Sequence, residues 1–486
     1  MKRCLVLLMG LLAAGAPATG KAAALGARSS LKLAFEVRDR IHRHYLEPVD
    51  SMRVIDAAID GLVAVLPEGE NLYISPTEIA ELRAGDEIVE IEGVTTEGIT
   101  SEQVMKKLRG APGTRVHVTV RRQGRANPLQ AVIPRERIQV HSVAYAFMVR
   151  PGTGYVRITR FAETTARELG EALERLQQEG MARLLLDLRG NGGGLLSQAV
   201  EVADCFVPSD ELIVYTEGRG PDSRREYRAA HAPGKKALPL VVLIDHGSAS
   251  ASEIVAGAVQ DLDVGLVAGS TSFGKGLVQE QFPLSSNGGL LLLTVARYYT
   301  PLGRLIQRPY DGDVQAYVAA GLDDTDPNAV DSLRAGKPLF RTRLGRPVWG
   351  GGGITPDVPL AEAAYPEALA EVMANGAVAD FCSRWTGDRP VWTRDFASFH
   401  ADFRVSDWTL ERFRHFLAEG GQDLANRTFD QYRERLRHEL KAGVAQVLWG
   451  EVERYQVSIE MDRQVQQALE LFGRADALLA ARSAGY

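Results

Sequence analysis

The chain has 486 residues, 45% of them hydrophobic and 24% charged, with a formal net charge of −6. That length predicts about three domains and the composition supports a sizeable core; the acidic balance gives no case for a nucleic-acid partner. At the start of the chain, Lys2 and Arg3 precede an apolar run over residues 5–12. Small residues around 16–24 then offer Ala-x-Ala cleavage sites, so residues 1–24 read as a secretory signal peptide. The apolar run is short, which makes an N-terminal membrane anchor the weaker reading, and no cysteine follows the Leu-Ala-Ala-Gly stretch to support a lipoprotein anchor. Cys4 would leave with the signal. Cys205 and Cys382 remain among apolar neighbours and read as two buried thiols, with an oxidised pair as the open alternative in an exported protein.

Residues 31–66 predict two helices. Phe35, Val37, Ile41 and Tyr45 mark the first, Val54, Ala57, Ala58, Leu62 and Val65 the second, and Glu47-Pro48 breaks between them. Over residues 81–135 the pattern changes. AGDEIVEIEGV reads as two short strands around a turn, SEQVMKKLRG as an amphipathic helix and TRVHVTVRRQG as an alternating strand. Beyond residue 140, TGYVRITRF is a strand, and TTARELGEALERLQQEG a helix with Leu169, Leu173 and Leu176 on one face. ARLLLDLRGNGGGLLSQAVEVADCFV is a buried strand, a glycine loop and a helix, and this alternation predicts a layered α/β domain. Leu240–Ile244 is a short buried strand, followed by a small-residue turn at 247–251. Glu253, Ile254, Val255, Ala258, Val259 and Leu262 then give helical spacing, with Ser252 and Glu253 as cap and first-turn acid. GLLLLTVARYYTPLGRLIQ opens with a strongly buried strand, and residues 308–350 read as an irregular insertion. From 361 to 482 the chain is helical, with Phe396, Phe403, Trp408, Phe413, Phe416 and Trp449 expected in the core or at a subunit interface.

The chemistry concentrates in residues 238–279. A serine in the 247–251 turn sits at a helix N-terminus, where unpaired amides and the helix dipole can stabilise a developing oxyanion. Lys275, in Phe-Gly-Lys-Gly with Gln279 four residues on, is held by glycines and apolar walls. Such a lysine can lose its proton near neutral pH and serve as the base for a serine, which makes this a candidate Ser/Lys hydrolase. Three rivals are weaker. The loop at 190–194 lacks the third glycine of a dinucleotide motif, with Leu195 in its place. Gly269 to Lys275 fits the first part of a phosphate loop, but Gly276 stands where Ser or Thr should bind magnesium. His246 invites a Ser-His pair, although a lone strand-end histidine is more often structural, and Asp261 reads as a helix-end structural acid. The other histidines show no metal-binding spacing, and neither a metal nor a cofactor is expected.

The runs GSASASEIVAGAVQD and GSTSFGKGLVQ resemble the core signature of the carboxyl-terminal processing peptidases, or tail-specific proteases. The resemblance implies Ser250 as nucleophile, Lys275 as base and Gln279 as the residue orienting the lysine. In that family an Asn-Pro-Gly-Gly loop donates to the oxyanion hole, which here implies the N–H groups of Gly193 and Ala251. Gly192 takes the place of the proline, a departure that should loosen the loop. VIDAAIDGLVAVLP is similar to the family's N-terminal helices, and GGGITPDVPL and DRQVQQALELFGRADALL to its closing segments. NLYISPTEIAEL joins AGDEIV almost directly, so the PDZ domain expected there lacks the stretch that supplies its carboxylate-binding loop and peptide-pairing strand.

The organisation implied is a multidomain α+β chain: signal peptide 1–24, helical region 25–68, truncated PDZ-like module 69–140, a ClpP/crotonase-like layered α/β peptidase core at 141–360, and a helical region 361–486. The function implied is an exported serine endopeptidase of the periplasm or cell envelope. It would cleave envelope proteins at or near apolar C-terminal tails through an acyl-enzyme, with a rate that rises with pH. An adaptor protein and homo-oligomer formation are left open. The alternative is a non-catalytic peptidase-like scaffold, which the reduced PDZ region and Gly192 favour.

Overall fold

The computed structural model describes residues 87–484 apart from 122–127, 136–140, 221, 231–236, 284–289, 310–335, 361–366, 375, 388–391, 393, 422–423 and 425. The segments read as a signal peptide and as two N-terminal helices, and most of the insertion expected after Arg308, lie outside the described residues.

The first unit is a small antiparallel sheet. β1 (Glu87–Ile91) and β2 (Val94–Thr95) form a hairpin, whose turn places Glu92 and Gly93 at φ 52° and 72°, as a two-residue hairpin turn requires. α1 (Ser101–Leu108) starts at a capping box, Thr100 with Gln103. β3 (Arg115–Arg121) and β4 (Leu129–Pro134) complete the order β2-β1-β3-β4. The alternation read in TRVHVTVRR holds: Val116, Val118 and Val120 point into a core with Ile91 and Leu108.

The layered α/β unit follows. β5 (Val143–Arg150) and β6 (Thr153–Ile158) lead through α2 (Thr165–Gln178) to β7 (Arg183–Asp187) and α3 (Leu196–Asp204). Next come β8 (Leu212–Gly218), β9 (Arg225–Arg228), β10 (Leu240–Ile244), α4 (Ala251–Asp261) and β11 (Leu266–Gly269). β12 (Leu277–Pro283), β13 (Leu290–Tyr299), a hairpin of β14 (Leu339–Arg341) with β15 (Pro347–Trp349), and β16 (Val358–Pro359) close it. The main sheet runs β16-β11-β10-β7-β6-β5, parallel throughout except for β5 against β6. A second sheet, β12-β13-β8-β9, is antiparallel. β13 is therefore not uniformly buried as its leucine run suggests: Leu293, Ala296 and Tyr298 point inward while Thr294 and Arg297 are half-exposed.

Both faces of the main sheet are covered, which is why β7 and β10 read as continuous apolar runs. Leu184, Leu186, Val242 and Ile244 face α2, α3 and α4 with Leu169, Val202, Val255 and Val259. Leu185, Val241 and Leu243 face the other way. That second face is covered from far along the chain. A helical unit of α5 (Glu367–Ala374), α6 (Ala377–Gly387), α7 (Phe396–Asp402), α8 (Asp407–Glu419), α9 (Asn426–Gln431), α10 (Arg433–Leu448) and α11 (Glu451–Ser458) has its own aromatic core. α12 (Arg463–Leu469) and α13 (Phe472–Ala484) then bring Val465, Ala468, Leu469, Phe472 and Ala475 onto the sheet. Each such fully buried large apolar side chain contributes about 1.5–3 kcal/mol. Of the aromatics expected in a core, Phe403 and Phe413 are buried and Phe396, Phe416 and Trp449 pack against them, whereas Trp408 is 59% exposed. Cys205 and Cys382 are not joined by a disulfide. Among the described residues no helix is long and apolar enough to cross a membrane.

Candidate active site

Three loops leave the carboxyl ends of β7, β10 and β11, the edge at which open α/β sheets place their sites. They are residues 188–195, 245–250 and 270–276. One carboxylate and an asparagine backbone stitch the first two together. Asp245 Oδ1 accepts from the N–H of Gly190 (2.8 Å) and of Gly247 (2.9 Å). The carbonyl of Asn191 accepts from the Ala249 N–H and from the Ser252 hydroxyl, each at 2.9 Å.

Ser250 ends the second loop and precedes α4, with φ 55° and ψ −109°. A non-glycine residue held at positive φ is strained and persists only where its surroundings over-determine it. Glu253 supplies that determination. Its side chain is fully buried and curls back so that Oε2 accepts from the Ser250 N–H at 2.7 Å. The same oxygen accepts from the Lys275 N–H at 2.9 Å, while Oε1 accepts from the Gly274 N–H at 2.7 Å and the Ser272 hydroxyl at 2.6 Å. Four donors converge on one carboxylate, which suits its ionised form. Burial nonetheless pushes its pKa above the ordinary carboxyl value.

Glu253 thus joins Ser250 to the loop that carries Lys275. The lysine's backbone is held on its other side as well, since Tyr298 donates its hydroxyl to the Lys275 carbonyl. The neighbouring Gly276 N–H bonds Gln307 Oε1 at 2.9 Å. The lysine side chain is half-buried. Gln279 lies past a bulge on β12, opposite Thr294, and is exposed.

Gly193 stands directly against the serine. A Cβ added there would be 2.8 Å from Ser250 Cβ and 3.0 Å from the Ala251 nitrogen, and its φ of 102° favours glycine. Ala251 is the first residue of α4, so its N–H is one of those no helical carbonyl can reach. The two N–H groups implied for an oxyanion hole therefore flank Ser250, but that of Gly193 is engaged by Asn191 Oδ1 at 2.9 Å.

Rival chemistries fare less well. The 269–275 glycine-lysine run passes from β11 to β12, a strand, where a phosphate loop would open a helix. In the 190–194 loop the amides of Gly190, Asn191 and Gly193 already bond Asp245, the Leu188 carbonyl and Asn191 Oδ1. His246 is half-buried in the turn after β10, and Asp261 is buried in an ion pair with Arg304 at 2.5 Å. Among the described residues no group of three or more His, Cys, Asp or Glu side chains could hold a metal ion.

The residue that sequence reasoning undervalued is Glu253. Read as a first-turn acid, it also completes Ser-x-x-Glu from Ser250, the signature of a capping box, and that spacing alone predicts a carboxylate turned back onto the serine's amide.

Comparison with known proteins finds peptidases. The model of peptidase family S41 matches residues 152–315, and that of the PDZ domain residues 75–122. A carboxy-terminal-processing protease of Bartonella bacilliformis is 41% identical over 48% of this chain and 54% of its own length. A carboxyl-terminal-processing protease of Synechocystis sp. is 37% identical over 49% of this chain and 57% of its own. The chain thus spans a little over half the length of these curated relatives. A solved photosystem II D1 C-terminal processing protease shares 26% identity, covering 68% of this chain and 93% of that one, with a TM-score of 0.39. The chain belongs to peptidase family S41, the family of the carboxyl-terminal processing peptidases, with a PDZ domain ahead of its peptidase core.

Proposed function

We propose that the chain is an exported serine endopeptidase that cuts envelope proteins at or near apolar C-terminal tails, with Ser250 as nucleophile and Lys275 as general base. The observation that carries this reading is the shared acceptor: one oxygen of Glu253 binds the backbone N–H of both residues. Lys275 takes the proton of the Ser250 hydroxyl as Oγ attacks the scissile carbonyl. The resulting oxyanion is held by the N–H groups of Ala251 and Gly193. As the tetrahedral intermediate collapses, the lysine gives its proton to the leaving amine; water then attacks the acyl-enzyme by the same route. For Gly193 to take part, its N–H must exchange Asn191 Oδ1 for the substrate oxygen. Residues 1–24 serve as the export signal, and the PDZ region, 69–140, is a reduced module. Gln279, four residues after Lys275, is the residue proposed to orient the lysine.

The engaged Gly193 amide is the observation that favours a second reading, a peptidase-like scaffold that binds proteins without cutting them. The two are separated by incubating an unfolded protein bearing an apolar C-terminal tail with the mature chain, Ser250→Ala and Lys275→Ala. Cleavage by the parent alone, with all three proteins folded, supports the peptidase. No cleavage by the parent across tails of varied sequence supports the scaffold.

A further inference from the structure

The glycine loop that flanks Ser250 is anchored at its start by a buried ion cluster whose outer half comes from the C-terminal helices. Asp187, fully buried at the end of β7, accepts from the Tyr155 hydroxyl at 2.7 Å and from the guanidinium of Arg189 at 2.6–3.1 Å. Arg189 immediately precedes Gly190. Its other guanidinium edge reaches a segment 273 residues away, donating to Asp462 Oδ2 at 2.8 Å and to Gln464 Oε1 at 2.9 Å. Tyr455, on α11, bonds the Tyr155 hydroxyl at 2.8 Å and accepts from Arg157 at 2.7 Å. Arg157 in turn donates to the Arg189 carbonyl at 3.4 Å. The planar guanidinium offers donors on two edges, so it can bind both carboxylates at once in fixed orientation.

We propose that the turn from α11 into α12 is a strut for the active-site loop, in which Asp462 and Gln464, acting through Arg189, are positioning residues that hold Gly193 in register with Ser250. This deepens the peptidase reading and rests on it. A one-ångström drift of the loop would misplace an oxyanion donor while leaving the serine and the substrate-binding surfaces intact, so the strut acts on kcat and not on KM.

Asp462 also caps α12, its Oδ1 accepting from the Val465 N–H at 3.0 Å. Asn caps a helix as well as Asp does, so Asp462→Asn keeps the cap and removes the charge facing Arg189. The expected result is a kcat lowered by about ten- to a hundredfold with KM unchanged. Amide hydrogen exchange should also quicken by about an order of magnitude over residues 188–195 while α12 keeps its protection. Asp476→Asn is the control. It breaks another contact between a C-terminal helix and β7, the half-exposed pair with Arg183 at 3.3 Å, but touches no part of the loop, and should leave both readouts at the parent's values. Parent-like kcat and exchange in Asp462→Asn would overturn the strut, as would equal effects of the two variants. If the parent shows no Ser250-dependent cleavage, the peptidase reading fails and the exchange measurement alone decides the strut.

Discussion

Ser250 and Lys275 donate their backbone N–H groups to the same atom, Oε2 of Glu253, at 2.7 and 2.9 Å. Their amide nitrogens can therefore be no further apart than those two bonds laid end to end. A serine on a strained turn and a lysine from a different loop are fixed relative to each other by backbone bonds.

Glu253→Gln tests this arrangement. The amide keeps one acceptor oxygen and presents an NH2 group to the two donors on the other edge. Each buried donor left without an acceptor costs about 1–3 kcal/mol. The variant should therefore lose several kcal/mol in denaturant unfolding and nearly all kcat. Glu253→Asp, which keeps the charge but shortens the reach, should recover more stability than activity. A Glu253→Gln enzyme with parental kcat would show that the shared acceptor does not matter to catalysis.

Acidification should silence the enzyme before it unfolds it. Burial raises the Glu253 carboxyl above its ordinary value, so the native state binds this proton more tightly than the unfolded chain does. As pH falls through that raised value, this group adds stability. Activity moves the other way, because a protonated carboxyl can no longer accept from all four of its donors. Asp187 has the opposite sign. Burial alone would raise it, but Arg189 and Arg157 hold it below the ordinary range. Its contribution to stability is present above the unfolded-state value and is lost only as pH falls through the lower native one. Measured side by side from about pH 7 to pH 3, where carboxyls titrate, kcat should fall at higher pH than near-ultraviolet circular dichroism does. Coincident loss of the two would refute this ordering.

What the sequence made legible is local. The run Leu240–Ile244 and the apolar spacing after Ser250 are set by burial on both sides of a parallel sheet and by one helix face, so they survive translation into structure unchanged. The alternation at Val116, Val118 and Val120 is legible for the same reason. The contacts that organise the site are not local. Glu253 meets Lys275 only because 270–276 folds over α4, and Arg189 meets Asp462 across most of the core. The aromatic-rich C-terminal helices announced a core of their own, but nothing in their periodicity said that α12 and α13 would cover the second face of a sheet begun some three hundred residues earlier. The role implied for Gln279 comes from the motif alone: a bulge between Val278 and Gln279 shifts the strand's register, which no sequence pattern announces.

The adjacent glycines of the active-site loop should respond in opposite ways to the same substitution. Gly193 has φ 102°, and a methyl group there would lie 2.8 Å from both the Ala249 carbonyl oxygen and Ser250 Cβ. Neither neighbour can yield, since Ala249 is bonded to Asn191 and Ser250 to Glu253. Gly193→Ala should then cost about 1–3 kcal/mol in backbone strain and remove most of kcat by pushing the loop off the serine. Gly192 is exposed, lies outside the positive-φ range and has open space where a Cβ would go. Gly192→Ala should stabilise the fold by about 0.4–1 kcal/mol, by restricting the unfolded chain. If the glycine that replaces the family's proline loosens the loop in solution, the same change should also raise kcat. Thermal unfolding and initial rates on the two variants check this, and a Gly193→Ala enzyme as stable and active as Gly192→Ala would mean that the loop does not stand against Ser250 during turnover.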